Sequence, residues 1–138
     1  MINFVNISES FSLGLHGLIY LALNSERGVK IKELADKLDA SRGTLASVFQ
    51  RVTKAGITVS FRGPHGGLML KKDPDKITFL EIYKVIEGET EISGCPLNRN
   101  KCIFSECIFS DILTKASTIV YNNFKDLKLS DFVQKESK

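Results

Sequence analysis

Three cysteines, Cys95, Cys102 and Cys107, fall within thirteen residues as Cys-x6-Cys-x4-Cys. Thiolates bind soft or borderline metals and iron–sulfur clusters, and they also oxidise reversibly. An odd number cannot be fully paired inside one chain. Without a Cys-x-x-Cys pair, zinc is the less favoured metal. In a reducing compartment such a cluster reads as metal ligands or redox-sensing thiols rather than as structural disulfides. A second concentration of chemistry lies in residues 41–72. Arg42, Arg51, Lys54, Arg62, Lys71 and Lys72 are basic and no residue there is acidic, although the whole chain carries a net charge of only +3. The remainder therefore sums to −3. A local excess of this kind fits a surface that meets phosphate, with a solvated polar face as the plainer alternative.

Catalytic arrangements are missing from the pattern. The order of Ser, His and Asp needed for a nucleophilic triad, a carboxylate pair and a phosphate-binding loop are all absent, and the two histidines, His16 and His65, sit on different elements. Alone, His16 reads first as an ordinary, partly buried histidine and second as a ligand. The chain has 138 residues, 43% of them hydrophobic and 25% charged, which predicts one soluble globular domain with a modest core. No apolar run approaches the roughly 18 residues of a membrane span, and residues 1–10 lack the pattern of a signal peptide, so a cytoplasmic protein is expected.

The elements that must position these groups follow from periodicity. Phe11, Leu15, Leu18, Ile19, Ala22 and Leu23 predict a first helix over residues 8–23, with Asn6 and Glu9 at the spacing of a capping pair. Ile31, Leu34, Ala35 and Leu38 predict a short second helix. Ser41 then caps a third, whose buried stripe is Leu45, Val48, Phe49 and Val52 and which Gly56 ends. Two short helices joined by a tight turn make a helix-turn-helix. Its outer face would carry Ser41, Arg42, Gly43, Thr44, Ser47, Gln50, Arg51 and Lys54, with small residues near base edges and longer cations on phosphates. Residues 57–61 and 68–71 read as strands joined by Arg62-Gly63-Pro64-His65-Gly66-Gly67, a hairpin wing that takes Arg62, Gly63 and His65 towards a minor groove. Thr78 and Glu81 form a capping box for a fourth helix bearing Phe79, Ile82, Tyr83, Val85 and Ile86, stopped at Gly88.

Residues 89–106 are too polar for a core of their own and hold the first two cysteines. Beyond them Phe109, Ile112, Leu113, Ala116, Ile119, Val120, Phe124 and Leu127 make a stripe longer than a small winged helix can cover. This predicts a homodimer through residues 110–126, against the alternative that the helix folds back wholly on its own domain. Two copies would set recognition helices about 34 Å apart on a pseudo-palindrome. Residues 129–133 are expected to pack locally and the last few to fray. The fold class is thus mainly α with a small β-hairpin wing. Residues 1–88 form the DNA-binding domain, 89–108 a sensor loop and 109–138 the dimerisation helix with a C-terminal segment.

The run VSFRGPHGGLMLKKDPDKITFLEIYKVIEG resembles the signature of the Rrf-type winged-helix transcription regulators, which includes IscR-like and NsrR-like proteins. LHGLIYLALNSERG and LKLSDFV are similar to that family's first helix and closing segment. Thr44, Leu45 and Ala46 depart from the residues usual in its recognition helix, and Leu68 replaces an aromatic after the wing glycines. The resemblance implies binding to double-stranded DNA, a regulator acting as a repressor, and an iron–sulfur cluster (2Fe–2S or 4Fe–4S) on Cys95, Cys102 and Cys107 that answers a redox or nitric oxide signal. The fourth ligand is less direct. IscR-like members have a histidine where this chain has Ser110, and NsrR-like members use a carboxylate at the position of Ser12. His16 is favoured over Glu9 as the substitute. A cluster-free thiol switch and a winged-helix module that docks an acidic protein partner are the alternatives.

Overall fold

The computed structural model describes residues 7–89, 92, 95–97, 99 and 101–136. These residues form α1 (Glu9–Leu23), α2 (Ile31–Leu38), α3 (Arg42–Lys54), β1 (Thr58–Phe61), β2 (Gly67–Leu70), a 3-10 turn (Pro74–Lys76), α4 (Phe79–Glu87), α5 (Ile112–Asp126) and α6 (Leu129–Glu136). The expected α class with one hairpin is therefore the observed one. Residue Asn6, expected to cap α1, lies outside the described residues. Ser8 is the N-cap, its side chain accepting a hydrogen bond from the Phe11 amide at 3.1 Å. Ser caps α1 and α3 and Thr caps α4 for one reason: a short side-chain oxygen satisfies an amide that the first helical turn leaves without a carbonyl.

The core joins α1 through α4. Phe11, Leu18 and Leu21 of α1 meet Leu34 and Ala35 of α2, the α3 stripe Leu45, Val48, Phe49 and Val52, and Phe79, Ile82 and Ile86 of α4. β1 and β2 pair antiparallel with Thr58 opposite Leu70 and Phe61 opposite Gly67. Val29 extends this hairpin. Its amide donates to Leu68 O at 2.9 Å and its carbonyl accepts from the Leu68 amide at 2.8 Å, so the wing is stitched to the turn between α1 and α2.

The C-terminal segment corrects one expectation. Leu129 is fully buried within the main core and does not pack only locally. The α5–α6 junction is held by backbone bonds from the Phe79 amide to Leu127 O and from the Leu129 amide to Ile77 O, both 3.0 Å. Phe124 of α5 lies 5.4 Å from Phe11, 6.1 Å from Phe79 and 6.4 Å from Tyr83 between ring centroids, and Phe132 of α6 stacks on Phe79 at 5.5 Å. These aromatic contacts fasten the second half of α5. Its first half is different: α5 contains no buried residue, and Ile112 and Ile119 are 59% and 69% exposed. The long stripe is thus two stripes, one facing the chain's own core and one facing away.

Candidate nucleic-acid interface and cysteine loop

The third helix begins where Ser41 adopts extended backbone and turns its hydroxyl oxygen to the Thr44 amide at 3.0 Å. The same hydroxyl donates to Thr44 Oγ1 at 2.8 Å, so Thr44, half-buried, belongs partly to the cap and only partly to the outer face. Burial of Leu45, Val48, Phe49 and Val52 fixes the rotation of the helix. Ser41, Arg42, Gly43, Ser47, Gln50 and Lys54 are then left exposed, as the spacing predicted. Arg51 is also exposed, but its Nη1 donates to the backbone carbonyl of Ile86 at 2.8 Å. One of its five donors is therefore committed to α4. Lys72, counted in the basic excess, pairs with Glu81 at 2.6 Å.

The wing follows α3 after Gly56, and Thr53 Oγ1 lies 2.7 Å from Thr58 Oγ1 across that corner. Arg62, Gly63 and His65 are all exposed on the loop. The two glycines after His65 have a packing reason. Gly67 has φ +143°, and a Cβ there would lie 2.7–2.8 Å from the Val29 backbone; one at Gly66 would lie 2.3 Å from Phe61 O. Only glycine lets the hairpin close on the α1–α2 turn. That turn is braced by a charged network. Arg27 donates to both carboxylate oxygens of Glu33 at 2.8 and 2.7 Å, and the Tyr20 hydroxyl donates to Glu33 Oε2 at 2.5 Å. The Arg27 hydrogen bonds, with that of Tyr20, lower the Glu33 pKa to about 2, and the bond to Glu33 raises that of Tyr20.

A surface groove between α2 and the wing is lined by Arg27, Lys30, Lys32 and Lys37 against two carboxylates, Glu33 and Asp36, with Pro64 and His65 on the wing side, and so is net positive. Sequence reasoning passed over these lysines. Their signal was that each lies off the buried Leu34–Ala35 face, so folding must turn them outward. They extend the cationic surface from α3 and the wing tip to the first helix of the helix-turn-helix, the element that crosses a DNA backbone in such folds. Phe61, at the wing base, is 52% exposed and was likewise missed, because strand alternation gave no reason to place it outside.

The three cysteines are not gathered as the exposed residues of α3 and the wing are. Cys95, Cys102 and Cys107 are all exposed, and among the described residues no group of three His, Cys, Asp or Glu lies close enough to hold a metal ion. Three thiols remain a suitable donor set for an iron–sulfur cluster in kind, but a single chain does not preassemble them. His16 is better prepared. It is exposed on α1, and its Nδ1 lies 2.6 Å from the carbonyl oxygen of Ser12. A carbonyl only accepts, so Nδ1 carries a proton in this contact, which leaves Nε2 as the ring nitrogen a metal would take.

The sequence profile of the Rrf2 family, described as an iron-dependent transcriptional regulator, matches residues 7–135. The chain belongs to the Rrf2 family. An HTH-type transcriptional regulator of Aquifex aeolicus is 33% identical over 134 residues, covering 95% of this chain and 93% of the relative. The NsrR regulator of Bacillus licheniformis is 30% identical over 125 residues, covering 88% and 87%. Among solved structures, CymR (YrzC), the global cysteine regulator of B. subtilis, superposes with a TM-score of 0.75 at 25% identity over 95% of this chain and 98% of its own. As an Rrf2 protein the chain is a DNA-binding transcription regulator and not an enzyme. Among the described residues no helix is long and apolar enough to cross a membrane.

Proposed function

We propose that this Rrf2 protein is a cytoplasmic, homodimeric repressor of a pseudo-palindromic operator, with affinity set by the state of the cysteine loop. The observation that carries the DNA reading is that the outer face of α3 and the wing loop are both exposed and bear no acid, while the faces beneath them are buried. Arg42, Gly43, Ser47 and Gln50 meet base edges, Lys54 and the α2 lysines meet phosphates, and Arg62 with His65 enters the minor groove. Ser41 and Thr44 shape the helix start, and Gly63 lets the wing approach the backbone. The dimer reading rests on Ile112 and Ile119, one heptad apart and turned away from the core.

The regulatory part of the reading is an iron–sulfur cluster held by Cys95, Cys102, Cys107 and His16. Such a group, when bound, supplies redox or nitric oxide sensitivity and links thiolates that are otherwise apart. Since the thiols are not gathered in the chain alone, holding any common group draws Cys95, Cys102 and Cys107 together and changes the pull on α4 and α5. The exposure of Cys102 and Cys107 also supports a second reading, a thiol switch in which an oxidant joins two cysteines. Anaerobic purification, followed by a visible spectrum with iron and sulfide counts, separates the two. A coloured sample with iron and sulfide that loses colour in His16→Ala supports the cluster; a colourless, iron-free one sends the reading to the thiol switch. Binding to the protein's own promoter fragment tests the operator reading, and no salt-dependent shift there refutes it.

A further inference from the structure

The C-terminal turn of α4, from which the cysteine loop departs, is gripped by two other helices. The Ile86 side chain is 4% exposed and sits in a notch at Gly14 of α1 and Val48 of α3. A Cβ on Gly14 would lie 2.4 Å from Ile86 Cδ1 and 3.3 Å from Val48 Cγ1. The Ile86 carbonyl accepts the Arg51 bond from α3. The next side chain, Glu87, accepts a hydrogen bond from the hydroxyl of Ser8, the residue that caps α1. At Gly88 φ turns to +94°, its amide donates to Lys84 O at 2.9 Å, and the chain leaves for the loop. Arg51 thus bonds α4 from the helix whose outer face meets DNA, one residue after Gln50. A guanidinium has a planar fork of five donors, so one N–H can hold a carbonyl while others face a phosphate.

We propose that Arg51 is a positioning residue that ties the root of the cysteine loop to the recognition helix, so that the state of the loop reaches the DNA-facing side chains through the Arg51–Ile86 bond. This rests on the reading that the loop controls operator affinity. A change in the loop acts first on Gly88 and Glu87. Ile86 cannot slide independently, because Gly14 and Val48 enclose its side chain and Arg51 holds its carbonyl. The displacement therefore passes to the rear half of α3, where Gln50 and Lys54 lie. Ser8 and Glu87 form the parallel tie to α1, which carries His16.

The test measures operator affinity by fluorescence anisotropy for the full chain in two loop states: reduced, and treated either with diamide or with ferrous iron and sulfide under anaerobic conditions. Wild type is expected to change affinity by at least about tenfold between states, within the usual range of allosteric coupling. Arg51→Ala is expected to bring that ratio below about threefold, and Glu87→Ala, remote from DNA, to reduce it without altering the salt dependence. If Arg51→Ala weakens both states equally and the ratio persists, Arg51 is only a phosphate contact and the proposal is overturned. If wild type shows no ratio, the reading of loop control fails by itself, and amide exchange decides the tie. Arg51→Ala should then speed exchange at Gly88, on the partner helix, as well as in α3; unchanged exchange at Gly88 overturns the tie. Should Arg51→Ala not fold, Arg51→Lys, which keeps the charge but loses the planar fork, carries the same two measurements, and a retained ratio with unchanged Gly88 exchange overturns the tie.

Discussion

Replacing Ile119 by alanine should separate dimer affinity from chain stability. The substitution removes three carbons, and burial of each is worth about 0.8 kcal/mol. Ile119 is 69% exposed in the single chain, so most of that value is still available to a partner. This leaves about 1.7 kcal/mol per copy at full coverage. In a two-fold interface the change enters twice, giving about 3.3 kcal/mol, or a roughly 250-fold weaker dissociation constant. The isolated chain should hardly notice. A largely exposed position changes stability by about 0.5 kcal/mol or less, and alanine's better helix propensity returns a few tenths. Sedimentation equilibrium gives the first quantity and urea unfolding under monomeric conditions the second. Equal dissociation constants for Ile119→Ala and wild type would refute the assignment of the Ile112–Ile119 face to a second copy. A large loss of monomer stability would show that Ile119 serves its own core instead.

Lys54→Ala should reduce the slope of log affinity against log salt by about 0.9 per lost phosphate contact, twice that per dimer, and an unchanged slope would remove Lys54 from the phosphate contacts. Folding lowers the Glu33 carboxyl to about 2 from 4.5, so its contribution to stability is fully present above pH 4.5 and is lost as pH falls through about 2. Glu33→Gln should therefore flatten the acid limb of a melting-temperature profile within that window; an unchanged limb would mean that the Arg27–Glu33–Tyr20 network is screened out by solvent. Gly17→Ala would bring a Cβ within 2.6 and 2.8 Å of the buried Phe49 ring. The strain of about 1–3 kcal/mol outweighs the helix-propensity gain of about 1 kcal/mol, so the urea midpoint should fall. Gly43→Ala, with nothing within 4 Å, should stabilise the chain by up to about 1 kcal/mol and so raise the midpoint; the same sign for both would show that local propensity and not packing governs these helices.

Much of this was legible in the residue order. Ser41, with apolar positions at 45, 48, 49 and 52, contains both the start and the rotation of the recognition helix, because a cap is a local hydrogen bond and a buried stripe needs only helical geometry. The wing was legible in its glycines for a cause the sequence does not display: Gly66 and Gly67 answer to the backbone of residues 61 and 29. The lysines of α2 escaped notice because their joining with His65 in one groove depends on the Val29–Leu68 bridge, a contact between segments nearly forty residues apart.

By itself, then, the sequence determined which residues are helical, which face of each helix is apolar and where cations and thiols concentrate, since all three follow from local hydrogen bonding and side-chain periodicity. Tertiary structure alone decided what those faces meet. It divided the α5 stripe between Phe124, held in an aromatic seam, and Ile119, left outside, because a small core has room for only part of a fifteen-residue helix. It brought Leu129 into the centre through pairing with Ile77. It also turned one arm of Arg51 from the exposed outer face of α3 to the carbonyl of Ile86, a bond between residues thirty-five positions apart that no local pattern encodes.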